Sequence, residues 1–464
     1  MIRRLFASVS ALCLVSCQAR DPVAVPAPHE TPSATASAQT APGSSATPKD
    51  VTRTAPIVVT LVVDQFAAWI ASERLRELPA SGGFARLRRE GTFATNVLHA
   101  HAVTDTAPGH AALYTGKTPR ENGIFANERF DGATRKKVSF LTDDTTRLVP
   151  PRPNAPDVAG ASIAKLTAEP LADAFRKQEP RALIVSISLK DRGAIFGCGH
   201  KPDLCLWHDA GSDRFVTSTA FATSVPAWVD EVGGRERLRE ARKKPWQLSD
   251  EAWVKSHSKT ADEQSGEGAW PGMTTEFPHA IDAAKDPAMA FRASPLGDEA
   301  IVELATEALQ RMPFGERPAL LSLSLSSNDY VGHVYGPDSW EAWDNLWRLD
   351  ATLGKLFRAL DAKVGPQGWK AILSADHGGT PMIETADVPG ARPWCSAKTS
   401  DPWQRPCAKG VRLMAEPIAE RLDKTAETVL GKGAWVAGVI DPFVYLTPNA
   451  KALDAAKRND CSTP

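Results

Sequence analysis

Ile57-Val58-Val59-Thr60-Leu61-Val62-Val63-Asp64 decides the fold. The run is almost wholly apolar, rich in β-branched residues, without polar alternation, and it stops on a carboxylate. A short run of this kind suits a strand covered on both faces. Three further segments follow the same pattern. Residues 182–189 (Ala-Leu-Ile-Val-Ser-Ile-Ser-Leu) end at Lys190, Leu320 to Leu325 runs towards Asp329, and Trp369 to Ser374 ends near Asp376. Between them, apolar residues recur at three- and four-residue spacing over 83–90, 171–178, 297–312 and 339–362, which predicts amphipathic helices. Alternating strands and helices predict an α/β fold with a mostly parallel central sheet sandwiched by helices. Ligands in such sheets gather at the carboxyl ends of the strands. The polar residues just named all fall there.

Outward from this core, the 464 residues are enough to bury a large interior. Lys+Arg number 54 and Asp+Glu 55, so nothing argues for a general polyanion-binding surface, and no nucleic-acid-specific binding is expected. Any cation that acts on a ligand must be placed locally. The chain begins Met1-Ile2-Arg3-Arg4 and continues into a short apolar run, the pattern of a secretory signal. Leu14-Val15-Ser16-Cys17 resembles a bacterial lipobox. Residues 1–17 are therefore expected to be a lipoprotein-type signal peptide. The protein is expected to be exported, to the periplasm or an outer surface, and held to the membrane only by a lipid on Cys17. Residues 18–55, rich in Ala, Pro, Ser and Thr, read as a disordered tether. Residues 56–464 read as the catalytic domain. Within it, 200–295 is rich in Trp and charged residues with little periodicity and reads as a cap-like insertion. Cys198/Cys205 and Cys395/Cys407 are spaced as local disulfides would be, and Cys461 is left over.

The chemistry centres on Thr104-Asp105-Thr106-Ala107-Pro108-Gly109-His110-Ala111-Ala112-Leu113-Tyr114-Thr115-Gly116. Pro108 and the small residues after it predict a helix beginning just beyond Thr106. A hydroxyl there faces free N–H groups that favour an anion, but it is a weak nucleophile unless activated. Asp64, Asp329 with His333 four residues on, and the adjacent Asp376-His377 supply hard oxygen and imidazole donors at strand ends. Such donors suit zinc or a similar divalent ion. Two ions about 4 Å apart can clamp the attacking and leaving oxygens of a phosphoryl transfer.

The ordered set Asp64, Thr106-Ala107-Pro108-Gly109-His110, Asp329-x-x-x-His333 and Asp376-His377-Gly378-Gly379 resembles the alkaline phosphatase superfamily. It is most similar to the branch of nucleotide pyrophosphatases/phosphodiesterases and phosphate-irrepressible alkaline phosphatases, which use threonine as nucleophile. The resemblance implies two divalent ions, zinc by expectation, and a covalent phosphoenzyme on Thr106. It implies that Asp64, Thr106, Asp376 and His377 surround one metal and that Asp329 and His333 hold the other. Asn127, otherwise a turn residue, matches the asparagine that contacts a phosphoryl oxygen. Lys190-Asp191-Arg192 matches the Lys-x-Arg element of the alkaline phosphatases; read without the resemblance it is a surface pair. Two cations there favour a doubly charged monoester, so the expected activity is hydrolysis of small phosphate monoesters. A phosphodiesterase or nucleotide pyrophosphatase is the alternative. A sulfatase nucleophile motif is absent, and the leader argues against the cytosolic phosphoglycerate mutases. The resemblance also implies a third ligand for the second metal, a histidine well downstream of His377. No histidine follows His377, and with Cys461 unpaired the natural chain is expected to continue past Pro464. The other possibility is an altered second metal site and a phosphate-ester binder with impaired turnover.

Overall fold

Chain segments with no polar face can be satisfied only in the middle of a sheet, and Ile57–Val63 (β1) lies there. The computed structural model describes residues 54–95, 97–131, 134–385, 415–440 and 442–453. The leader, nearly all of the tether, and Cys395, Cys407 and Cys461 lie outside these described residues. The main sheet adds Thr142–Val149 (β2), Ala159–Ala161 (β3), Leu183–Ser188 (β4), Leu204–Asp209 (β5), Arg214–Ser218 (β6), Ala319–Leu325 (β7) and Trp369–Ser374 (β8). Its spatial order is β8-β1-β7-β4-β5-β6-β2-β3. The first five strands are parallel, and the β6-β2-β3 edge is antiparallel. The expected α/β sandwich with a mostly parallel sheet is thus the observed architecture.

Register is what positions the site. Ile57 pairs with both Trp369 and Ala319, and Leu183 also pairs with Ala319. The central strands therefore start level and end level, with Val63 opposite Leu325 and Ser188 opposite Ser324. Each chain leaves the sheet on the same edge. Four helices matter there: Thr106–Thr115 (α1), Asp191–Cys198 (α2), Ser327–Val334 (α3) and Trp340–Val364 (α4). The other expected helices are present as Gly83–Glu90, Leu171–Gln178 and Pro295–Arg311. Asp298 of the last accepts from Ser327 N–H at 3.1 Å while Ser327 Oγ accepts from Asp298 N–H at 3.2 Å, which fixes the start of α3. No helix among the described residues is long and apolar enough to cross a membrane.

The stretch 200–295 differs from the expectation at its start. Leu204–Asp209 and Arg214–Ser218 are strands of the main sheet, not part of an insertion. The remainder consists of short helices and loops whose Trp228, Leu238, Trp246 and Ile281 join the same hydrophobic core as β1 and β7. Helices this short, anchored by scattered large aromatics, leave no sustained period in the sequence. Cys198 and Cys205 also depart from expectation. They are free, buried thiols, and Cys198 donates to the Ile195 carbonyl at 3.3 Å.

Residues between 219 and 295 brace the end of α3 that carries His333. Gly268 N–H donates to Val334 O at 2.9 Å, and Trp246 Nε1 donates to Asp344 Oδ2 on α4 at 2.7 Å. Beneath this contact sit Glu267 and the fully buried Glu341, whose Oε1 is 2.7 Å from His279 Nε2. Burial, and then repulsion from Glu341, pushes the Glu267 carboxyl up to about 9. Burial pushes Glu341 up to about 8. Both folded values lie above the ordinary glutamate range, so the stability they contribute is full below that range and is lost as pH rises through 8 and 9. The variant Glu267→Gln keeps the shape and removes an ionisation. Its melting temperature is expected to fall less steeply than the wild type's between about pH 5 and pH 9, where the wild-type carboxyl keeps its proton folded and loses it unfolded, by no more than about 2 °C for each kcal/mol retained. Thermal melts across pH check this, and parallel curves would contradict it.

Candidate active site

Thr106 is the first residue of α1 and is buried. Asp105 caps the helix in an extended conformation, and its carboxylate accepts from Thr106 N–H at 3.1 Å. Gly109 lets the helix press on the end of β8, since a Cβ there would stand 2.1 Å from the Asp376 carbonyl oxygen. One turn on, buried His110 reaches Asp376 Oδ2 at 3.0 Å, the Thr106 carbonyl at 2.9 Å and Ser324 Oγ at 2.8 Å. The Thr-Ala-Pro-Gly-His motif is thus a helix start locked onto two strand ends.

The Thr106 hydroxyl oxygen lies 3.2 Å from Lys190 Nζ and 3.5 Å from His377 Nε2. Asp64, Asp329 and His377 each offer a ligand atom within 4.8 Å of the others, the one such metal-capable cluster among the described residues. Lys190 caps α2 and is buried; its ammonium is 2.6 Å from Asp64 Oδ2 and 2.6 Å from Asp329 Oδ2. Burial opposes the charge of Lys190, but Asp329 and Asp64 overcome it and hold the ammonium above its ordinary range. Burial likewise works against Asp64, yet Lys190 and His377 hold it well below the usual carboxylate range. Burial would lower His377, but Asp64 and Asp376 push it up to about 10. Asp376 is different: burial, and then Asp64, raise its carboxyl.

The remaining expected residues are close but not equivalent. His333 is exposed, with Nε2 3.1 Å from Asp329 Oδ1. Asn127 Oδ1 accepts from Ala107 N–H at 2.7 Å, and its amide donates to Asp105, so it sits beside the helix turn that carries Thr106. Arg192 is partly buried one residue past Asp191, which its guanidinium meets at 3.6 Å. The structure brings Thr106, Asp64, Lys190, Asp329 and His377 into one cluster, and leaves Arg192 at its edge. The sequence reading missed Gln65. Its N–H donates to Asp376 Oδ1 at 3.2 Å, and its amide donates to Asp329 Oδ1 at 3.0 Å. A glycine in the middle of Asp329-x-x-Gly332-His333 was its one visible signal, because mid-helix glycine is unfavourable without a packing reason.

The donor set fits a divalent ion. Three buried carboxylates, two imidazoles and a hydroxyl are balanced by a single ammonium, and hard oxygens with imidazole nitrogen are the ligands zinc and its neighbours take. Asp64, Thr106, Asp376 and His377 would hold one ion, Asp329 and His333 the other.

Known proteins resemble this chain in sequence and in fold. The type I phosphodiesterase / nucleotide pyrophosphatase family matches residues 58–454. Alkaline phosphatase PhoV of Synechococcus elongatus is 32% identical over 343 residues, 72% of this chain and 62% of that protein. Alkaline phosphatase PafA of Elizabethkingia meningoseptica is 31% identical over 338 residues, 69% of this chain and 59% of that one. The chain therefore spans about three-fifths of the length of these relatives. The crystal structure of wild-type alkaline phosphatase PafA matches with a TM-score of 0.75 at 25% identity, over 88% of this chain and 77% of that one. A solved PafA variant is substituted at a threonine, at an asparagine twenty-one positions on, and at a lysine and an arginine two apart. Thr106 and Asn127, and Lys190 and Arg192, repeat those two spacings. This chain belongs to the type I phosphodiesterase / nucleotide pyrophosphatase family.

Proposed function

We propose that the protein is an exported, metal-dependent phosphatase that hydrolyses small phosphate monoesters through a phosphothreonine on Thr106. The observation that carries this is the buried Thr106 hydroxyl at a helix N-terminus, 3.2 Å from Lys190 and 3.5 Å from His377, beside the Asp64–Asp329–His377 cluster. Two divalent ions, zinc by donor chemistry, would lower the pKa of a coordinated hydroxyl and take up the charge of a departing alkoxide. The chain's own residues do the rest. Thr106 Oγ1 attacks phosphorus, its bond to phosphorus forms, and the ester oxygen leaves with the alcohol. Water then attacks the phosphothreonine and returns the threonine hydroxyl. Lys190, Arg192 and Asn127 meet the non-bridging oxygens. Asp64 and Asp329 hold the Lys190 ammonium here, and these are the carboxylates expected to hold metal, so ammonium and ions share the same negative charge. His110 and Asp105 keep the nucleophile's turn in place. The leader over 1–17 with lipid on Cys17, the tether over 18–55 and a covering role for the insertion complete the reading.

A diesterase is the second reading, and one observation favours it. A cavity of about 840 Å³ lined by Phe66, Phe93, Val97 and Ile372 reaches His377 and Gly378. An apolar space beside the site is what a second ester substituent needs.

Hydrolysis of p-nitrophenyl phosphate and of bis-p-nitrophenyl phosphate by the zinc-loaded protein separates the two. The monoester is expected to be the better substrate in kcat/KM, and Thr106→Ala is expected to lower its kcat by about 10³-fold or more, roughly 4 kcal/mol of barrier. Unchanged turnover in that variant would remove the threonine mechanism. Lys190→Ala is expected to lower monoester kcat/KM about 10–100-fold more than diester kcat/KM, the size of one charge-assisted hydrogen bond. Equal losses on both substrates would return Lys190 to a structural role.

A further inference from the structure

The fifth parallel strand, β5, also ends at the site edge. It runs beside β4 with Trp207 opposite Ser188, so His208 comes next on the edge that carries Lys190. His208 is wholly buried, and burial pushes its imidazole down to about 4, so it is neutral. Its Nε2 lies 3.5 Å from Asp213 Oδ1, and its Nδ1 accepts from Arg292 Nε at 3.0 Å. Asp213 is fixed in turn. It holds φ 54, in the left-handed region, and accepts two hydrogen bonds from buried Arg242 at 2.8 and 2.7 Å. Backbone of this kind persists only where the surroundings hold it. Arg292, the last residue of the helix Pro287–Arg292, also donates to the His208 carbonyl through Nη2. Its other arm, Nη1, donates to the Tyr330 hydroxyl at 3.2 Å. A continuous run of side chains thus reaches from the β5–β6 turn to one phenol.

Tyr330 follows Asp329 in the first turn of α3. Asp329 meets the Lys190 ammonium at 2.6 Å, and the Tyr330 ring faces the same nitrogen, 5.0 Å from the ring centroid. That distance is within cation–π range, and such a contact is strongest when the cation is dry; Lys190 is 2% exposed. The ring differs from the other partners of this ammonium. Asp64, Asp329 and Thr106 also touch Lys190, but their oxygens are the ones assigned to the ions and to phosphorus. The ring is uncharged. It supports the ammonium without cancelling its charge and without drawing a carboxylate away from an ion.

We infer that Tyr330 is a positioning residue for Lys190: its ring, aimed by Arg292, holds the ammonium toward the phosphoryl oxygens and so sets the preference for a doubly charged monoester over a diester. The inference rests on the proposed role of Lys190 on those oxygens. A tyrosine that only packed the start of α3 would affect both substrates alike, and would do so whether or not Lys190 were present.

Kinetics of the zinc-loaded full chain on p-nitrophenyl phosphate and bis-p-nitrophenyl phosphate test it, with Tyr330→Leu, Tyr330→Phe and Arg292→Gln, each alone and combined with Lys190→Ala. Tyr330→Leu is expected to lower monoester kcat/KM about tenfold more than diester kcat/KM, the order of one desolvated cation–π contact. Its diester turnover also shows that it is folded. Tyr330→Phe keeps the ring and is expected to stay within about threefold of wild type on both substrates. Arg292→Gln frees the ring without removing it, and is expected to show the same split at about threefold, the size of a modest hydrogen bond. It carries the test should Tyr330→Leu fail to fold. In the Lys190→Ala background, each substitution is expected to change the monoester-to-diester ratio less than about twofold, because partners in one contact do not add. Full additivity, equal losses on both substrates, or a loss in Tyr330→Phe as large as in Tyr330→Leu overturns the inference. If Lys190→Ala alone costs both substrates equally, the reading of Lys190 fails and the inference falls with it. That failure is told apart because it shows in a protein whose Tyr330 is intact.

Discussion

A carboxylate sealed at the end of an apolar strand must be paired, and Asp64 is the residue that imposes this on the whole molecule. It is wholly buried, at the end of a strand with both faces covered. An isolated ion there would carry a large desolvation cost. Lys190 answers it at 2.6 Å from the end of β4, and the same ammonium answers Asp329 from the end of β7. His377, beyond β8, supplies a further partner at 3.2 Å. Four strand ends are bound together by the need to neutralise one another. Three carboxylates against one ammonium leave the position receptive to divalent ions.

The level register of the parallel strands makes this convergence possible. A slip of one residue along β7 would turn every side chain of that strand to the opposite face and carry Asp329 away from Lys190. The helices pressed onto this edge preserve the arrangement by close approach. Gly109 admits the Asp376 carbonyl, and Gly193 on α2 admits Ser188 and Ser324, where a Cβ would stand 2.4 Å from the Ser188 hydroxyl. Behind α3, Gly268 holds the far end of that helix by donating its N–H to the Val334 carbonyl.

Much of this was legible in the sequence, for identifiable reasons. Central parallel strands announce themselves as unbroken apolar runs, so β1, β4, β7 and β8 and the polar residues closing them were readable. The long helix α4 was readable from its period. The edge strands were not. Leu204–Asp209 contains Trp, His and Asp, and its partner Arg214–Ser218 mixes charge with aromatic residues, so both looked like part of an insertion. Gln65 left little trace, only the glycine at 332, because its contacts depend on a positive φ and on space left by glycines distant in sequence. The Cys198/Cys205 spacing suggested a bridge, but spacing does not determine bonding, and both thiols are free. Asn127 was found by resemblance alone; its contact with the Ala107 N–H gives it a physical place beside the Thr106 turn.

The stereochemical course at phosphorus tests the central claim most directly, because it does not depend on a phosphoenzyme accumulating. A monoester made chiral with oxygen isotopes is turned over in the presence of an acceptor alcohol, and the configuration of the transferred phosphoryl group is read out. Attack by Thr106 followed by a second displacement predicts net retention. Net inversion would mean that the acceptor attacks phosphorus directly, and would contradict the role given to Thr106.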